Sequence, residues 1–187
     1  MKPIKGLFLA SLFASAIIGT SAGAAPLKTD PAKSSVSAVF KQMNVPVEAP
    51  FKQFTAQIDY DPAKPAASKA SVDIVTASLD VGDPDMNKEV AKKEWFNATQ
   101  FPKASFVSSS ITPAGAGKFN VAGKLSIKGK AANVSFPLTV KTEGSKQVFE
   151  GQLPIRRLAF NIGEGEWKDT SMVADEVVIK FRVTAAP

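Results

Sequence analysis

Alternation of apolar and polar side chains is the feature that most narrows what this chain can fold into. The clearest stretch has Val134, Phe136, Leu138 and Val140 on one side, with Asn133, Ser135, Thr139 and Lys141 largely on the other. Only a strand, whose successive side chains point to opposite faces, turns such a spelling into one apolar surface. The same period runs through Val36, Ala38 and Phe40, then through Phe54, Ala56, Ile58 and Tyr60. It returns in Ala70, Val72 and Ile74, in Ala104 and Phe106, and in Val121, Leu125 and Ile127. Phe149, Gly151, Leu153 and Ile155 repeat it, and Val177, Ile179, Phe181 and Val183 close the series. Turn residues punctuate the runs: Asp61-Pro62, Pro113 with Gly115 and Gly117, Gly129-Lys130 and Gly144-Ser145.

One stretch departs from the pattern. Asp83-Pro84 supplies an N-cap and a proline at the first helical position, and Asp85 to Trp95 is rich in helix formers. The resulting expectation is all-β: an eight-stranded antiparallel up-and-down barrel with one short helical insertion around residues 84–95. Closure would remove the strand edges that such a chain otherwise exposes. A barrel of about eight strands is just wide enough to be filled by its own side chains or to hold one small ligand. The inward set mixes Phe with Ala38, Ala56, Ala70 and Gly151, which leave room. A lined cavity and a packed core both stay open on pattern alone.

The first residues bear on the compartment. Lys2 and Lys5 precede an apolar run from Leu7 to Ile18, and small residues end in Ala22-Gly23-Ala24. That is the layout of a secretory signal peptide cut after Ala24, because a cut one residue later would put Pro26 at the scissile amide. The run is too short for a bilayer-spanning helix, which needs roughly 20 apolar residues. Residues 1–24 are therefore expected to be a cleaved leader and residues 25–187 one exported, periplasmic domain. The formal charge of +6 falls by the two leader lysines. The remaining lysines are scattered with no basic block, which argues against a nucleic-acid partner.

Two absences restrict the chemistry. The chain has no Cys and no His. Thiolate nucleophiles, imidazole bases, Cys/His zinc sites and His- or Cys-ligated haem are excluded with them. No catalytic residue, metal ligand or cofactor is assigned. The acids Glu164, Glu166 and Asp169 around Trp167 read as a solvated Gly-rich turn rather than as paired glycosidase carboxylates. Lys88 and Lys92 read as solvated.

Several segments, in order, resemble the YceI-like family of secreted lipocalin-like proteins. They are Asp30-Pro31-Ala32-Lys33-Ser34-Ser35-Val36, the stretch from Phe51-Lys52-Gln53-Phe54 to Asp61-Pro62, and Trp95-Phe96 followed by Phe101-Pro102-Lys103-Ala104-Ser105-Phe106. Val121-Ala122-Gly123-Lys124-Leu125 and Arg157-Leu158-Ala159-Phe160-Asn161 extend the likeness over nearly the whole exported part. The resemblance implies a non-catalytic barrel with an apolar tunnel for a polyisoprenoid or other long-chain lipid. Many relatives carry a His where this chain reads Gln42-Met43-Asn44, and an Arg-Asp-x-His-Leu helix where it reads Asn87-Lys88-Glu89-Val90. Gly163-Glu164-Gly165-Glu166-Trp167 resembles relatives joined to, or encoded near, membrane b-type cytochromes. By that analogy an isoprenoid quinone is an attractive ligand and such a cytochrome a partner. The alternative reading is a packed barrel that only docks on a membrane partner. The oligomeric state is left open.

The candidate ligand-binding residues are the large inward side chains. They are Phe40, Phe54, Trp95, Phe96, Phe106, Phe136, Phe149, Phe160 and Phe181, with aliphatic Ile58, Ile74, Leu125 and Leu138. Arg157 joins them because it shares a face with Ile155, from which its guanidinium could meet a pyrophosphate or a quinone carbonyl.

Overall fold

A computed structural model describes residues 26–187, so the leader expected at residues 1–24 lies outside the described residues. Alternating runs become strands β1 (Lys28–Thr29), β2 (Ser35–Gln42), β3 (Val45–Pro50), β4 (Phe54–Asp59) and β5 (Lys69–Val75). After helix α1 (Pro84–Val90) come β6 (Lys103–Gly115), β7 (Lys118–Ile127), β8 (Lys130–Glu143), β9 (Lys146–Arg156) and β10 (Glu176–Ala186). All pair antiparallel, and β4 to β10 are neighbours in chain order. From β10 the sheet passes to β2 and then to β3.

Ten strand segments against eight expected strands is a difference of interruption, not of class. β1 and β2 both run antiparallel to β10, separated by the turn at Pro31–Lys33, where proline lacks the N–H a ladder needs. β3 and β4 are likewise two halves, the first paired with β2 and the second with β5. The sheet curls until its edges meet: Leu27, just before β1, donates its N–H to the Ile58 carbonyl of β4 at 2.8 Å. β3 escaped the alternation because Pro46 and Pro50 interrupt its spelling. Proline is tolerated there because β3 ends the continuous ladder. β1 is too short to show any period.

The hairpin turns carry the left-handed backbone that two-residue connections require. Met43 and Asn44 have φ of 46° and 63°, and Lys128 and Gly129 have 46° and 73°. Helix α1 begins as its spelling predicts: the Asp83 carboxylate accepts from the N–H groups of Asp85 and Met86, and Pro84 follows it. It ends earlier than residue 95. The carbonyls of Val90 and Ala91 accept from Phe96 and Ala98 instead of from the next helical turn, and Asn97 is left-handed at φ 47°. This tight reversal folds Trp95 and Phe96 back into the barrel, where both are buried.

Candidate functional site: an apolar cavity in the barrel

Side chains on the inner face do not fill the interior. A cavity of about 410 Å³ runs through it, bounded by every inward run of the sheet and by α1. Phe40, Val72, Ile74, Phe106, Ile179 and Phe181 point inward yet are only partly buried, because they border this space. Glycine helps keep it open. The Phe181 ring lies over Gly151 and the Phe106 ring over Gly123, so that a Cβ added at either glycine would stand 2.5 Å from a ring carbon. Phe136 links the two rings, 5.4 Å from Phe106 and 5.5 Å from Phe181 between centroids. These three aromatics form a stripe across the wall, with edge-to-face and tilted packing.

The two ends of the barrel differ. At the end where β4 stops, Tyr60 packs edge-on against Phe119 and Phe149, with ring centroids 6.1 and 5.4 Å away. Burial, with a smaller contribution from Asp61, pushes the Tyr60 phenol above its ordinary pKa, so it stays neutral. At the opposite end, α1 and the segment between β9 and β10 meet. Trp95 packs at a tilt against Trp167, with ring centroids 5.3 Å apart, and the Arg157 guanidinium carbon lies 5.7 Å from the Trp95 ring centre. Among the described residues, Trp95 Nε1 is the buried side-chain polar atom without a hydrogen-bond partner.

Arg157 has another role than ligand contact. It is 2% exposed, and its guanidinium donates to the carbonyls of Ala174, Ile162, Gly163, Trp167 and Val173 at 2.7–3.2 Å. Five donors meet five acceptors, so none is left for a pyrophosphate or a quinone. Desolvation pushes its pKa down, partly opposed by the charge of Asp175. Gly163, left-handed at φ 79°, is needed beside it: a Cβ there would stand 2.1 Å from Arg157. The neighbouring acidic loop is also not wholly solvated. Glu164 accepts from the buried Lys128 ammonium at 2.9 Å, while the same ammonium donates to the Asn161 carbonyl at 2.6 Å. That hydrogen bond and charge hold the Glu164 carboxyl below its usual range.

Of the other sequence-derived candidates, Phe40, Ile58, Ile74, Trp95, Phe96 and Phe106 border the cavity. Leu125, Phe136, Leu138, Phe149 and Phe181 do so too. Phe160 is buried in the core away from it, and Phe54 lines a separate shallow groove beside Phe51, Asp73 and Lys103. Phe160 misses because β9 ends at Arg156 and a 3₁₀ turn follows, so strand parity no longer applies. The candidate set omits Phe51, Tyr60, Phe119, Met86 and Val90, all of which border the cavity, although Tyr60 belongs to the same alternating run as Ala56 and Ile58. Phe119 was within reach, since it shares parity with Val121. Phe51 sits at the β3–β4 kink, where no period points to it.

Several polar groups at the cavity are already committed, although Trp95 Nε1 is not. Arg157 serves the carbonyls, Asp83 caps α1, and the Ser68 hydroxyl accepts from Asp61 N–H at 3.2 Å. Such a space can exclude water from an apolar chain. Among the described residues, its lining is dominated by apolar side chains.

Fold and interior together define a β-barrel with an apolar internal cavity. A family model described as the YceI-like domain matches residues 27–185, and the chain belongs to that family. Burkholderia cenocepacia BcnA, a crystal structure, is 58% identical with a TM-score of 0.83, covering 85% of this chain and all of that one. A polyisoprenoid binding domain from Saccharophagus degradans shares the fold at 15% identity and a TM-score of 0.67, over 88% of this chain and 99% of its own. A "UPF0312 protein" of Pseudomonas putida is 36% identical over 52% of this chain. The chain spans about half the length of such curated relatives, 51% in this case.

Proposed function

We propose that this chain is an exported carrier that holds a long isoprenoid or similar lipid chain inside its barrel, a quinone tail among the candidates. The observation that carries the reading is the open apolar cavity, bordered by large side chains that face inward without being covered. A packed interaction module would have filled that space, since protein cores approach crystal density. The Saccharophagus degradans domain, described as polyisoprenoid binding, supports the same class of ligand through its fold. Gross affinity follows from area: at roughly 0.8 kcal/mol per buried CH₂-sized group, one five-carbon unit contributes about 3–4 kcal/mol before the cost of association. Binding, not catalysis, is the activity such a wall supports.

The test is a competition series over prenyl chain length at constant head group, repeated over head groups at constant tail. Affinity should rise with each added unit until the cavity is full, and change much less when a quinone ring is replaced by an alcohol. Affinity that tracked the head group and ignored the tail would defeat the proposal. Export rests on the basic start and the Ala22-Gly23-Ala24 ending. Intact mass of the exported protein should place Ala25 first, and retention of residues 1–24 would refute it.

A further inference from the structure

Large apolar side chains left on the outside of this barrel are few, and three of the four most exposed lie together. Met43 (64% exposed) and Val45 (62%) form the tip of the β2–β3 hairpin, and Met172 (45%) stands on the segment before β10. The two loops touch: Met43 N–H donates to the Met172 carbonyl at 2.8 Å, and Gln42 bridges to Val173. Neither tip carries a charge over residues 42–47 or 170–174, in a chain whose residues are 21% charged. The patch also adjoins the cavity. Gln42, Val47 and Val173 border the internal space, as do Asp83 and Met86 at the start of α1, and all but Val173 are partly or fully exposed. The interior therefore opens between these uncharged, apolar tips and the start of α1, whose Asp83 carboxylate is held by the helix N–H groups.

We infer that this rim, Met43, Val45 and Met172, is a contact surface for a lipid bilayer, through which an apolar chain passes between membrane and cavity without crossing water. The inference rests on the carrier reading. Uncharged tips enter the head-group layer without desolvating an ion, and each apolar side chain adds burial. Pro46 within the exposed hairpin opposes the other common use of such a tip, strand addition by a protein partner, because it cannot donate to a new ladder.

The chain's lack of Cys makes the test direct. An environment-sensitive dye is attached through Met43→Cys and, as a control, through Val107→Cys on β6, the fourth exposed apolar residue, at 55% exposure. With phosphatidylcholine vesicles the dye at position 43 should shift to the blue and the dye at position 107 should not. Equal response at both positions, or none at position 43, overturns the inference. In parallel, Met43→Ser, Val45→Thr and Met172→Ser are combined. Uptake of a dansyl-labelled prenyl alcohol from the same vesicles should slow by about tenfold. Binding of that alcohol in vesicle-free solution should stay unchanged. Unaltered uptake by the triple variant also overturns the docking surface. Failure of the wild type to bind the alcohol in solution would instead sink the carrier reading, with the dye response still deciding whether the rim meets a bilayer.

Discussion

Two adjacent arginines show how much a residue's meaning depends on where the chain turns. Arg156 and Arg157 are alike in sequence, yet the first has a 71% exposed side chain paired with Asp175 at 3.2 Å and the second is buried among carbonyls. Exposed pairs contribute little, so Arg156→Ala should change stability by no more than about 0.5 kcal/mol. Arg157→Lys should cost about 3 kcal/mol or more, because an ammonium has three donors and no planar fork to serve five acceptors. Urea unfolding of the two variants checks the contrast, and similar midpoints would mean that the carbonyl cage matters little. Strand parity placed Arg157 inward, which is where it lies. It could not reveal that five carbonyls from residues 162–174 would converge there, since they belong to turns with no repeating pattern.

At the scale of elements, the barrel is shaped by what joins its strands. The Asp80 carboxylate ties α1 to the β3–β4 kink, accepting from Asn87 at 3.0 Å and Gly82 N–H at 3.0 Å and pairing with Lys52 at 3.2 Å. Those bonds, Asn87's first, lower its pKa from 3.8 to about 2. A depressed carboxylate stabilises the fold above its unfolded pKa and loses that contribution as pH falls through the folded value. Asp80→Asn should therefore melt below the wild type at pH 7, with the gap closing between pH 3.8 and about 2. A gap of constant size across that range would contradict the linkage. Elsewhere, inward positions differ in what they tolerate. Ala56 is buried at the cavity, so Ala56→Phe should shorten the longest prenyl chain bound, at a stability cost of about 1–3 kcal/mol. Gly151→Leu should act otherwise, losing stability first, because its Cβ would meet Phe181 at 2.5 Å and the Pro137 carbonyl at 3.0 Å. Binding series on folded Ala56→Phe protein, read beside its melting curve, separate narrowing from collapse.

For the whole molecule, the curled antiparallel sheet was legible from its period, because alternation is a local property that a strand reads directly. Nine of the fourteen inward candidates lie on strands and border the cavity for the same reason. Parity tells which side of the sheet a residue occupies. The short helix start was legible too, as Asp83-Pro84 is a local signal, whereas its early end depended on how Trp95 and Phe96 pack. Other features needed the fold. Parity cannot say whether facing side chains meet: Phe106 and Phe181 leave space only because each ring finds a glycine on a neighbouring strand. Nor can it foresee that β1 with β2, and β3 with β4, would act as halves of longer strands whose edges close at Leu27 and Ile58. The rim of Met43, Val45 and Met172 joins residues more than a hundred positions apart. By itself the sequence determined the longer strands, most of their inner faces and the absence of Cys and His chemistry, all of which are local or compositional. Only the tertiary structure decided that the interior stays open, that Arg157 is spent on backbone carbonyls and where the cavity meets solvent, because each depends on contacts between segments distant along the chain.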